Sequence, residues 1–70
     1  MSYSEGDRVK WWWGYGTAEG VIDKVYTRKT TRTFKGAAIT KNATKACPAY
    51  MIRLDDGART LRLHTEVERG

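Results

Sequence analysis

One histidine, one cysteine and a pair of adjacent aspartates carry the most direct chemical potential in this chain of 70 residues. Zinc takes three or four converging ligands, and His64 with Cys47 supplies too few, so no metal site is expected. Nucleophilic catalysis by Cys47 needs a base held in place by a third group. His64 is the single candidate base, and no pattern brings the two together. Cys47 is therefore expected to be a small apolar filler, and His64 a solvent-facing strand residue beside Leu63. Asp55-Asp56 precedes Gly57 and reads as hairpin-turn chemistry rather than as a cation site. Asn42-Ala43-Thr44 spells a glycosylation acceptor but reads as a local turn. No catalytic residue, metal or cofactor is assigned, and the chain is expected to bind rather than to catalyse.

Binding chemistry is better represented. The chain holds three Trp, four Tyr and one Phe, with 13 Lys and Arg against 8 Asp and Glu, a net charge of +5. Aromatic faces attract desolvated cations or stack on unpaired bases, and the candidate aromatic surface is Trp12, Tyr15, Trp13 and Tyr26. Trp12 is out of phase with Val9, and Tyr15 sits in a glycine turn, so both are expected at the surface; Trp11 and Tyr50 are weighed toward the core. The candidate basic face is Lys10, Lys24, Arg28, Lys29, Arg32 and Lys35, which would neutralise phosphates or simply be a solvated charged surface. A protein or peptide partner leads, with single-stranded DNA or RNA as the alternative; the residues leave that choice open.

The elements that position these groups are short. Arg8–Trp13 alternates as a first strand, with Val9, Trp11 and Trp13 on one face. Gly14-Tyr15-Gly16 breaks it. A second strand runs from Gly20 through Thr27, with a bulge or bend expected near Gly20 because Val21 and Ile22 are both apolar. Thr30–Phe34 is a weaker third strand ending near Gly36. Residues 37–47 lack a clean period and suit a strand followed by a loop, and Pro48 bars a helix from running through. Tyr50, Ile52 and Leu54 alternate toward the Asp55-Asp56-Gly57 turn, and Leu61 and Leu63 alternate away from it, which defines a hairpin. Residues 66–69 are expected to cap the fold.

Strands spaced in this way, with glycine at the corners and no amphipathic helix, predict an all-β chain of about five short antiparallel strands forming a small barrel. The expected inner side carries Val9, Trp11, Val21, Tyr50, Ile52 and Leu61. Residues 1–5 are expected to be a flexible N-terminus and residues 6–68 a single domain with a small core. The lone cysteine suits a reducing cytoplasm, no apolar run is long enough for a signal peptide or membrane span, and open strand edges allow a monomer or a weak dimer.

Seven segments, in this order and spacing, resemble the hypervirulence-associated protein Tudor domain, a family of poorly defined function. They are Gly6-Asp7-Arg8-Val9-Lys10-Trp11, the turn Gly14 to Gly16, Gly20-Val21-Ile22, Lys41-Asn42-Ala43-Thr44, Pro48-Ala49-Tyr50-Met51-Ile52, Asp55-Asp56-Gly57 and Thr65-Glu66-Val67. The resemblance implies an SH3-like or Tudor-like barrel acting as a binding module, without naming a ligand. The triple Trp and Cys47 depart from the family pattern, so it implies no role for Trp12 or Cys47. The type II dihydrofolate reductases show that an SH3-like barrel can catalyse, but their Val-Gln-Ile-Tyr strand is replaced here by Thr60-Leu61-Arg62-Leu63-His64.

Overall fold

The structure, a computed structural model, describes residues 2–70 and, at Trp13, the backbone alone. What the sequence predicts for the Trp13 side chain, and for residue 1 of the N-terminus, lies outside the described residues.

Among the described residues seven strands follow one another: β1 (Arg8–Trp13), β2 (Gly16–Tyr26), β3 (Thr30–Phe34), β4 (Ala37–Lys41), β5 (Ala49–Leu54), β6 (Arg59–Leu63) and, after a 3-10 turn at His64–Glu66, β7 (Glu68–Arg69). The chain is all-β, with no α-helix among the described residues. Two antiparallel sheets result, one of five strands in the order β6-β5-β2-β1-β7 and one a ribbon of β3 and β4. Among the described residues, no ladder joins β6 to β7, so the strand pairing gives the all-β, antiparallel part of the expectation and not a closed barrel.

The turns follow from their residues. Lys35 (φ 49°) and Gly36 (φ 81°) connect Phe34 to its partner Ala37, the doubly left-handed turn that matches the twist of a hairpin. Asp56 Oδ1 accepts from the Ala58 N–H at 2.9 Å, and Gly57 takes φ 89°, which fixes the β5–β6 turn. Thr44 acts similarly: its hydroxyl accepts from the Cys47 N–H at 3.0 Å and its own N–H donates to the Cys47 carbonyl at 3.0 Å.

β5 lies between β6 and β2 and is buried along both faces from Ala49 to Ile52. Its alternation therefore serves two cores rather than the single inner side predicted. Tyr50 and Ile52 join Val9, Trp11 and Ile22 on one face. Ala49 and Met51 join Ala43 and Leu61 on the other, where Phe34 and Ile39 of the ribbon and Tyr26 of β2 pack on them. Two corrections follow. Leu61 belongs to the second core, because it pairs with Met51. Val21 is only half-buried, and Ile22 takes its place in the first core, because Val21 aligns with Arg8 and Arg53 on the face opposite that core.

β2 also starts earlier than predicted, at Gly16, since Thr17 and Glu19 pair with Trp12 and Lys10. Its irregularity lies between Ile22 and Lys24 rather than near Gly20. Gly20 answers a different need: a Cβ there would stand 2.5 Å from Ile52 Cγ2 and 2.6 Å from the Arg53 carbonyl oxygen. The N-terminal segment expected to be flexible carries Tyr3, half-buried against Tyr50 with its N–H donating to Tyr50 Oη at 3.0 Å.

Candidate functional site

The β2 bulge is the local event that builds the site. An extra residue turns two neighbours toward the same face, so Asp23 and Lys24 both line the cleft between the large sheet and β3. Across from them, Arg53 of β5 and Arg59 of β6 are direct cross-strand partners on that face. β3 contributes Arg32, Thr33 and Phe34, and Tyr26 and Met51 complete a cleft of about 660 Å³. Four cations thus share it with one carboxylate. Asp23 is the carboxylate, 24% exposed and 3.8 Å from Arg53 Nη1 and from Arg59 Nε.

Arg32 lies over the Tyr26 ring at 5.0 Å, so that ring carries an internal guanidinium. The same is true of Trp11 under Arg62 at 5.7 Å and Tyr3 under Arg69 at 5.8 Å. Trp11 and Tyr50 are core, with exposures of 4% and 0%. These rings are therefore not arranged as an empty cage for a cation.

The sequence candidates separate into groups. Lys24, Arg32 and Tyr26 meet in the cleft. Arg28 and Lys29 lie exposed in the β2–β3 turn, and Lys35 at the tip of the ribbon. Lys10 stands apart on β1, aligned in register with Glu19 and Glu68. Trp12 and Tyr15 are exposed, at 74% and 109%, at the far end of the β1–β2 hairpin. Thr17, the partner of Trp12, lies near the start of β2 and Tyr26 at its end, with the bulge between them. Trp12 and Tyr15 therefore do not share a surface with Tyr26. Arg53 and Arg59 were missed, although the hairpin register carried the signal: alternation about Asp55-Asp56-Gly57 sets them opposite each other on the face away from Tyr50 and Ile52.

His64 is corrected from a solvent-facing strand residue to a half-buried one in the 3-10 turn, its Nδ1 2.9 Å from Tyr50 Oη and its ring 5.1 Å from Tyr3. Burial pushes the Tyr50 phenol up, against the Tyr3 N–H, which favours the ionised form. Cys47 is half-buried with its sulfur 4.0 Å from Thr65 Oγ1. Glu66 is the other perturbed acid. Burial would raise its pKa, but the Leu63 N–H at 2.8 Å, Lys41 at 3.0 Å and Arg62 outweigh that and hold it below the usual carboxylate range. No group of three His, Cys, Asp or Glu able to hold a metal ion occurs among the described residues. Nor does any helix among them have the length and apolarity to cross a membrane.

A family model described as hypervirulence associated proteins TUDOR domain matches residues 6–67. No curated protein and no solved structure matches the chain.

Proposed function

Because the chain belongs to the hypervirulence-associated proteins TUDOR domain family, a family of small binding modules, we propose that it is a non-catalytic module that binds single-stranded nucleic acid in the cleft between the large sheet and the ribbon. The observation that carries this reading is the gathering of Lys24, Arg32, Arg53 and Arg59 around the Tyr26 and Phe34 rings with a single acid among them. Cations in a groove follow a phosphate backbone, and flat groups beside them stack on bases of any sequence. The Arg32 guanidinium over Tyr26 is such a flat group. A cytoplasmic location, inferred from the lone Cys47, suits that partner, and the two sheets are read as an opened form of the SH3-like or Tudor-like barrel.

The test is fluorescence anisotropy with labelled single-stranded oligonucleotides of about ten nucleotides, within the range one small barrel covers. Affinity should fall with salt with a log–log slope of about −2 to −3, the value for three to four phosphates on a single strand. Arg32→Glu and Arg53→Glu should each weaken binding at least tenfold. Absence of binding at low salt ends this reading.

A second reading rests on Trp12 and Tyr15, whose exposure at a hairpin tip suits a protein or peptide partner. It requires Trp12→Ala to abolish capture of that partner while the cleft variants leave it intact.

A further inference from the structure

Two arginines directly opposite each other on neighbouring strands repel, and a fold gains nothing from that arrangement by itself. Arg53 and Arg59 are such a pair, 54% and 56% exposed. The chain answers them with one carboxylate: Asp23 follows Ile22 onto the face of Met51 and Arg53 by simple alternation, and the β2 bulge then sets Lys24, the partner of Met51, on that same face. Asp23 stands 3.8 Å from a nitrogen of each arginine. That separation is beyond the 2.7–2.9 Å of a charge-assisted hydrogen bond. The attraction is therefore Coulombic, and the guanidinium donors in these contacts are not committed to Asp23.

Resting on the reading of the cleft as a nucleic-acid site, we propose that Arg53 and Arg59 form its principal phosphate-binding point and that Asp23 is a built-in competitor for it. In the free protein, Asp23 occupies the field of both arginines and relieves their repulsion. A backbone phosphate offers oxygens that accept forked hydrogen bonds from both guanidinium groups, which Asp23 at this distance does not. Binding then exchanges a distant internal anion for a close external one. Asp23 lowers affinity for every anionic strand, and it makes the free cleft stable without a ligand.

The experiment compares the wild type with Asp23→Asn, Arg53→Gln and Arg59→Gln, using the labelled oligonucleotide across a salt series and thermal melts in sodium phosphate and in sodium chloride of matched ionic strength. Asp23→Asn should bind three- to tenfold more tightly, with a salt slope steeper by about 0.7, one further phosphate on a single strand. Its Tm in chloride should fall by a few degrees, and phosphate should restore more of it than in the wild type. Asp23→Asn binding no better than wild type, while either arginine variant weakens binding, overturns the competitor and leaves the cleft reading standing. Both arginine variants binding like wild type overturns the cleft reading and this inference with it. Should Asp23→Asn melt too low for binding measurements, failure of phosphate to raise its Tm beyond the wild-type effect overturns the proposal.

Discussion

Tyr50 shows how one side chain joins chain segments distant in sequence. Its ring fills the first core with no exposure, while its hydroxyl meets the Tyr3 N–H and His64 Nδ1. The hydroxyl can accept from the one and donate to the other, so a single oxygen serves the N-terminal segment and the 3-10 turn. Tyr50→Phe keeps the ring and strands both partners. Leaving buried polar groups unpaired costs about 1–3 kcal/mol, and in a domain of this size about 1 kcal/mol moves Tm by about 4–8 °C. Thermal melts followed by circular dichroism should show a loss in that range. The sequence identified Tyr50 as core by its alternation with Ile52, but it could not place His64 beside it. A residue following a strand gives no periodic signal about where the chain bends next.

At the scale of elements, the hairpins were legible and the junctions between them were not. Asp55-Asp56-Gly57 and Gly36 announced their turns because each demands a particular backbone angle. The Val21-Ile22 doublet announced an irregularity, but the sequence placed it at Gly20, and the actual slip lies one residue past Ile22. Gly20 marks close approach instead. Gly20→Ala would drive a methyl group into Ile52 and the Arg53 carbonyl, where β2 and β5 are hydrogen-bonded neighbours. Overpacking of this kind costs about 1–3 kcal/mol, and backbone on one side leaves little room to relax. Urea titration should show a lower midpoint with the slope unchanged. The candidate site was half legible for the same reason. Lys24, Arg32 and Tyr26 stood out as basic or aromatic residues in sequence, whereas Arg53 and Arg59 gain their meaning only from pairing across the hairpin.

For the whole molecule, the question is what holds two separately hydrogen-bonded sheets together. The second core is one answer, through Phe34 and Ile39. A polar tie is the other: Lys41 at the end of β4 reaches Glu66 at 3.0 Å, and the same carboxylate accepts from the Leu63 N–H. Because the folded protein holds the Glu66 pKa below its unfolded value of about 4.3, the tie stabilises fully above that value. It is lost as pH falls through the folded pKa. Melts between pH 7 and pH 2 should show the wild type losing stability in this acidic window. Glu66→Gln, which starts less stable at pH 7, should converge on the wild type there.

The cleft has one wall on each sheet, with Arg53 and Arg59 on the larger and Arg32 and Phe34 on the ribbon. Its gap is therefore set by interlocking side chains rather than by the fixed spacing of a peptide ladder. If the cleft takes a single strand as proposed, its grip depends on apolar packing, and a change of side-chain volume at Phe34 or Ile39 should alter affinity with every arginine left in place.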